Sequence, residues 1–399
     1  INPKNLYGLT KKNNEETAEL FFEGSATTAV GLRFFTVFGE WGRPDMLIYK
    51  YLKSVFDKKS KFYLNNYGNH TRDIMTSKAI IIREYGKPEV LKLENIKLPK
   101  LEKNQILINH TAIGVHFHDV YVRSGLYKTL NLPGIPGVEA VGIVEEKGEN
   151  VEDFDIGDRV VYITGNYGAY ASHRVLDEKI AIKLPNSVSD DLMATNFSRA
   201  LTVQMLLEKV TKLSSNHKIL VTAASGGVGK LLCQAASNKG SLVIGSVSNE
   251  LKAKECLSYG CVDSFLYNQS DFVDKIMDLT EGKGVDIVFD SVGFDTFETS
   301  VEILALCGHL VNFGQSSGPV NPVQMSTLAQ KSLTISRPIL FHYLTNKNDY
   351  KKIANSVFKS FEDRKLIAPS TQPISLENAA EAHKILESRM GGGSLYLKP

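Results

Sequence analysis

Ile219-Leu-Val-Thr-Ala-Ala-Ser-Gly-Gly-Val-Gly-Lys230 is an apolar strand that breaks into a glycine-rich turn and opens directly onto a helix. Its spine is Ala223-x-x-Gly226-x-x-Gly229. Residues without bulk at these places let the backbone turn tightly, approach a pyrophosphate, and pack the new helix on the sheet. The helix start offers free N–H groups and a partial positive charge to phosphates. Ala223, Gly226, Gly227, Val228 and Gly229 are therefore expected to bind a dinucleotide. A turn of this kind also serves as an ordinary strand-to-helix connection, so the surrounding rhythm has to decide.

From about residue 201 that rhythm is βα. A strand over 219–222 leads to a helix over 228–239, a strand over 242–247, helices over 252–258 and 272–279, a strand over 285–290, a helix over 296–305 and a strand over 309–313. Strands alternating with helices imply a parallel sheet covered on both faces. Before it, from Ser77 to about Ala200, short apolar runs broken by glycine and proline read as strands over 79–83, 106–109, 141–144, 159–162 and 170–175. The tail, 335–399, shows two helical patterns and a final strand over 393–397, and is expected to return to the first domain.

At 399 residues the chain is long enough for two to three domains, and 43% hydrophobic with 23% charged residues is ordinary globular composition. A net charge of +2 lacks the one-signed field of a nucleic-acid binder, and no interleaved basic and aromatic stripe is visible. No apolar run is long enough to span a bilayer or reads as a secretory leader, so a cytoplasmic enzyme without membrane partners is expected. Cys233, Cys256, Cys261 and Cys307 lack metal or redox spacing and read as reduced core residues.

Further segments carry a resemblance: Gly86-Lys-Pro-Glu-Val-Leu91, Asp119-Val-Tyr-Val-Arg-Ser-Gly-Leu-Tyr127, Gly157-Asp-Arg-Val160, Asp290-Ser-Val-Gly293, Phe313-Gly-Gln-Ser-Ser-Gly318 and Glu387-Ser-Arg389. With the 223–229 turn, they make residues 75–399 resemble the zeta-crystallin-like NADPH:quinone oxidoreductases of the medium-chain dehydrogenase/reductase superfamily. The resemblance implies an α/β chain in which a GroES-like β-rich catalytic domain, 75–200 with 335–399, is split by a doubly wound Rossmann domain, 201–334. The site then lies in the cleft between them.

In that frame His116, Tyr121, Tyr127, Arg199 and Thr202 match the nicotinamide pocket, with His116 standing where close relatives carry asparagine. Tyr127 reads as the substrate-side hydrogen-bond donor, or as a cleft-lining aromatic that only orients the acceptor. The same resemblance assigns Ser246, Ser291, Phe313, Gly314, Ser316 and Arg389 to the cofactor. The second Rossmann strand ends Gly245-Ser-Val-Ser-Asn249 without the acid that NAD enzymes place on the ribose hydroxyls. Lys252 and Tyr267 match positions that hold a ribose 2′-phosphate, so NADPH is the expected cofactor.

Zinc is not expected. The Gly-His-Glu signature of zinc dehydrogenases stands here as Gly137-Val138-Glu139, His116 replaces the expected cysteine, and no cysteine precedes Cys233. One histidine and one carboxylate are too few for a three-ligand catalytic zinc. Without Lewis-acid help the acceptor must already be electrophilic: a quinone, or alternatively the conjugated carbonyl of an enoyl or 2-alkenal substrate. A non-enzymatic crystallin-like or RNA-binding role is the contrasting reading. A homodimer is implied by the resemblance, with Lys331-Ser-Leu-Thr-Ile-Ser-Arg337 as the candidate edge strand.

Residues 1–74 fit a different pattern. Tyr7-Gly-Leu-Thr-Lys11, Gly31-Leu-Arg-Phe-Phe-Thr-Val-Phe-Gly-Glu-Trp-Gly-Arg-Pro-Asp45 and Tyr67-Gly-Asn-His-Thr-Arg-Asp73 resemble parts of an extended short-chain sugar-nucleotide epimerase. The half of that family bearing its own glycine-rich turn is absent, so the segment reads as a non-functional fragment and Met75 as the original start of the oxidoreductase. An epimerase activity is disfavoured on the same ground.

Overall fold

Six strands run parallel in the order Asp263–Leu266, Leu242–Val247, Lys218–Thr222, Val285–Asp290, Leu304–Asn312, Thr334–Ser336. This is the doubly wound arrangement, three-two-one-four-five-six in chain order. The order reverses beside Lys218–Thr222, where open α/β sheets bind ligands at their carboxyl ends. The computed structural model describes residues 76–388 and 394–399; the epimerase-like segment and Arg389 lie outside them.

The central strands are apolar without alternation because both faces of the sheet are covered. Ile219, Val221, Phe289 and Val311 point into one core, while Leu220, Val288, Ile244 and Leu310 point into the other. One boundary departs from the sequence expectation. The helix expected over 296–305 ends at Glu302, and the strand expected from 309 already begins at Leu304. The Ile303 carbonyl accepts the Val285 N–H at 2.9 Å, and Leu304, 1% exposed, inserts into the core. Pairing with the neighbouring strand thus captures the backbone before the helix can continue.

The β-rich part is a seven-stranded sheet built on the ten-residue strand Gln105–Gly114, which pairs antiparallel with Glu139–Lys147 and with His173–Asp177. The strand expected over 170–175 starts only at His173, because the Tyr170 N–H donates to the Pro136 carbonyl instead of joining a ladder. The final strand, Ser394–Lys398, pairs with Gln105–Gly114 through Tyr396 and Leu397, which returns the end of the chain to this domain.

The helix Asp190–Gln204 packs between the two parts. Its buried face packs in one continuous apolar cluster with Val141 and Val161 of the β-rich sheet and with Val221 and Phe289 of the parallel sheet. Phe197 stacks on Phe358 of the helix Lys347–Glu362 with ring centroids 5.6 Å apart. No described helix is long and apolar enough to cross a membrane.

Because Phe197 is fully buried at this junction, Phe197→Ala leaves a cavity that its neighbours from both parts cannot fill. The substitution should cost about 3–5 kcal/mol, read as a shift of the denaturant midpoint. An unchanged midpoint would show that the two parts do not rely on this core.

Candidate active site

The glycine-rich turn is shaped by close contacts that exclude side chains. Ala223 takes a left-handed φ of 48°, and its carbonyl accepts the Gly226 N–H at 2.7 Å. The helix Gly227–Asn238 follows at once. A Cβ on Gly229 would stand 2.3 Å from the Ala223 carbonyl oxygen, and one on Gly227 would stand 2.7 Å from Cζ of Arg199. Arg199 therefore lies against the turn from the neighbouring helix, Asp190–Gln204. Its Nη1 donates to Ser394 Oγ at 2.6 Å. Desolvation draws its pKa down to about 10, opposed by the negative charge of Glu139. Thr202 is on the same helix and donates its hydroxyl to the Ser198 carbonyl at 2.8 Å.

The strand tips beside the turn bring together most of the remaining expected residues. Ser291 donates its N–H to Thr222 Oγ1 at 2.9 Å, and its carbonyl accepts the Ser316 N–H at 3.2 Å. Phe313 donates to the Asp290 carbonyl, and a Cβ on Gly314 would meet the Ser291 carbonyl at 2.5 Å. On the opposite side Ser246 and Tyr267 line one small cavity of about 10 Å³ with Thr222 and Asp295. Ser246 Oγ is buried without a hydrogen-bond partner. Lys252 stands in the first turn of the helix Glu250–Leu257, which Asn249 caps by accepting the Lys252 N–H at 3.0 Å. Its ammonium reaches Ser248 Oγ at 3.3 Å, and no described carboxylate pairs with it.

The Lys252 ammonium suits the ribose 2′-phosphate of NADPH, which offers it an acceptor.

Across the cleft, the helix Phe117–Ser124 starts at His116 and stops at Gly125, whose φ of 84° suits a left-handed cap. The chain then folds back so that Tyr127 donates its N–H to the Tyr121 carbonyl, and the two rings meet edge to face at 5.2 Å. Four side chains that the sequence reading missed complete this wall. His118 stacks on Tyr167 at 5.9 Å and meets Phe341 and Tyr127 edge to face. Arg337 donates Nη2 to the Tyr127 hydroxyl at 3.2 Å. Burial, with His116 beside it, pulls the pKa of His118 down to about 4, so it sits here as a neutral ring. The signal for His118 was its place one residue beyond Phe117 on the His116 helix. Nothing in the sequence separated Arg337 from an ordinary surface cation.

Comparison with known proteins agrees with this fold. Residues 102–186 match the family described as alcohol dehydrogenase GroES-like domain, and residues 227–359 the family described as zinc-binding dehydrogenase. Quinone oxidoreductase 1 of Escherichia coli is 39% identical over 324 residues, which is 80% of this chain and 99% of that protein. The chain belongs to the quinone oxidoreductase family. A crystal structure of E. coli quinone oxidoreductase complexed with NADPH superposes with a TM-score of 0.77 at 37% identity, covering 81% of this chain and all of that one. A 2-haloacrylate reductase from a Burkholderia species is 33% identical over 328 residues, 80% of this chain and 98% of that enzyme.

Within this member of the quinone oxidoreductase family, the residues at the zinc positions are engaged with one another. Glu139 is fully buried; it accepts the Ser198 N–H and the Ser198 hydroxyl, each at 2.6 Å, and Nε2 of the His116 imidazole lies against the same Oε2 that takes the hydroxyl. Val138 offers no donor atom. Among the described residues no three His, Cys, Asp or Glu side chains converge as a metal would require.

Asp119 anchors this wall by accepting the His116 N–H at 2.8 Å and the Tyr170 hydroxyl at 3.2 Å on one oxygen, while the other oxygen is buried without a partner. Burial pushes its pKa up to about 6, against the pull of His116. The folded carboxyl thus holds its proton to about pH 6, whereas the unfolded one releases it near 3.8. Folding takes up a proton in this window, so stability contributed here is present below it and falls as pH rises through it. Asp119→Asn keeps an acceptor and removes the buried charge. Relative to wild type it should gain up to about 3 kcal/mol at pH 8 and little at pH 4, read from melting curves at the two values. An equal effect at both would contradict the assignment.

Proposed function

We propose that this chain reduces quinones with NADPH and without a protein-bound zinc, in the cleft between a catalytic domain formed by 75–200 with 335–399 and a nucleotide-binding domain formed by 201–334. The carrying observation is the Arg337–Tyr127 pair, in which a guanidinium held at the tip of the strand Leu304–Asn312 donates to the Tyr127 phenol at 3.2 Å. An acceptor that is already electrophilic needs a hydride, a proton and stabilisation of the charge that develops on its oxygen, and this pair supplies the last of these. When bound, NADPH supplies the hydride.

The residues of the chain do the rest. The N–H groups at the start of Gly227–Asn238, with the helix dipole behind them, hold the pyrophosphate. Arg199 lies over the turn as a cation held by its hydrogen bond to Ser394 Oγ, and Lys252, with Ser246 and Tyr267, would take the 2′-phosphate. Ser291, Phe313, Gly314 and Ser316, which the strand tips bring together, would support the nicotinamide end, with His116, Tyr121 and Thr202 as its further neighbours. The rings of Tyr121, Tyr127, His118 and Tyr167 form an aromatic cluster, with His118 stacked on Tyr167 and Tyr121 and Tyr127 edge to face, that offers apolar contact to a planar acceptor.

The 33% identical 2-haloacrylate reductase favours a second reading, the reduction of activated alkenes next to a carbonyl, which requires the same hydride geometry and the same stabilised oxygen. The chain is further proposed to form a homodimer through its sheet edge. Thr334–Ser336 is the last strand in the order, and Leu306 and Met325, 78% and 77% exposed, are large apolar side chains in the adjoining strand and helix.

NADPH should bind much more tightly than NADH, and Lys252→Ala should weaken NADPH alone by about tenfold to hundredfold, measured by fluorescence titration. A parallel panel of quinones and conjugated carbonyls with NADPH separates the two acceptor readings; equal wild-type affinity for both cofactors would refute the assignment of Lys252. Light scattering at micromolar concentration should report a dimer, and a monomer there would exclude the edge-strand interface.

A further inference from the structure

We infer that Asn312 is a positioning residue for the cleft: it fixes Arg337, and through Arg337 sets the direction in which the Tyr127 hydroxyl donates. The inference rests on the quinone reading for its kinetic consequence, but its geometry is independent of any substrate.

Asn312 is the last residue of the strand Leu304–Asn312 and is 7% exposed. Its Nδ2 donates to Asp290 Oδ2 at 2.9 Å, and its Oδ1 accepts from Arg337 Nη1 at 2.5 Å. Asp290 is fully buried, and its other oxygen accepts from Thr222 Oγ1 at 3.0 Å, from the Val292 N–H at 2.9 Å and from Thr296 Oγ1 at 2.8 Å. A side chain so surrounded by donors is an acceptor towards Asn312, and a guanidinium can only donate. The Asn312 carboxamide therefore has one orientation, and its oxygen is committed to Arg337.

Arg337 is exposed and long, and among the described residues no carboxylate holds it. Its Nη1 is held by the Asn312 side chain, the Asn312 carbonyl at 3.0 Å and the Gly314 carbonyl at 2.9 Å. Two of these three acceptors belong to Asn312. With Nη1 pinned, the planar guanidinium presents Nη2 to the Tyr127 hydroxyl at 3.2 Å. Because Nη2 donates, the Tyr127 oxygen accepts, and the tyrosine's own O–H is left for an acceptor oxygen in the cleft. A single chain of hydrogen bonds thus runs from Thr222, the residue before the glycine-rich turn, through Asp290, Asn312 and Arg337 to Tyr127, across three strand tips and the cleft.

The test is a double-mutant cycle in the full-length protein with Asn312→Leu, Arg337→Gln and the double variant, read as kcat and KM for 1,4-benzoquinone, Kd for NADPH and melting temperature. Asn312→Leu should lower kcat/KM for the quinone about tenfold while leaving NADPH affinity unchanged. In the Arg337→Gln background it should lower it further by less than about twofold, because the group it positions is already gone. An undiminished loss in that background, or a parallel loss of NADPH affinity, would overturn the positioning role. If Asn312→Leu does not fold, Asn312→Ser takes its place in the same cycle. If the wild type reduces no quinone, the functional reading fails by itself, and the crystal structure of the Asn312 variant then decides this inference: Arg337 displaced from Tyr127 supports it, and an unmoved Arg337 overturns it.

Discussion

Gly229 lies so close beneath the Ala223 and Ala224 carbonyls, 2.3 and 2.8 Å from where a Cβ would stand, that no side chain fits between helix and strand. This approach determines where the helix Gly227–Asn238 begins and points its N-terminus out of the carboxyl end of the sheet, beside the place where strand order reverses. It leaves Gly227 free of a side chain as well, and Arg199 occupies that space from the neighbouring helix. A packing constraint within one strand-turn-helix unit therefore sets the position of a charge supplied by another element.

The helix that carries Arg199 distributes the same constraint through the molecule. On one face of Asp190–Gln204, Phe197 and Leu201 belong to the core shared by both sheets; on another, Ser198 holds the buried Glu139 with two hydrogen bonds. Burying a carboxylate is costly unless donors surround it, and here both donors come from Ser198 of this helix, with the His116 imidazole in contact beside them. Glu139 thus ties the first residue of the cleft helix, His116, to the helix that also positions Arg199. The residues left at the zinc positions have become struts.

Polarity in the cleft is arranged in fixed directions. Arg337 and the backbone N–H groups only donate, Asp290 accepts, and His118 is kept neutral by burial. Each of these groups is held by neighbours on strands and helices, which limits the reorganisation needed as charge develops on an acceptor.

Local chemistry was legible in the chain. The apolar run before Ala223, the small residues at Gly226 and Gly229 and the βα rhythm specify a parallel sheet with a phosphate-binding turn, because these features follow from backbone sterics and periodicity within about a dozen residues. The missing acid after Gly245 and the valine between Gly137 and Glu139 were equally readable, since what is lacking is a functional group. The early end of the helix at Glu302 was not, because it depends on pairing with Val285. Nor were Arg337, Asn312 and Tyr167, whose roles come from contacts with residues far away in sequence, such as the 210 positions that separate Arg337 from Tyr127. By itself the sequence determined the kind of fold and the kind of cofactor turn; only the tertiary structure decided which polar side chains meet across the cleft, because that depends on distances between elements that no local pattern encodes.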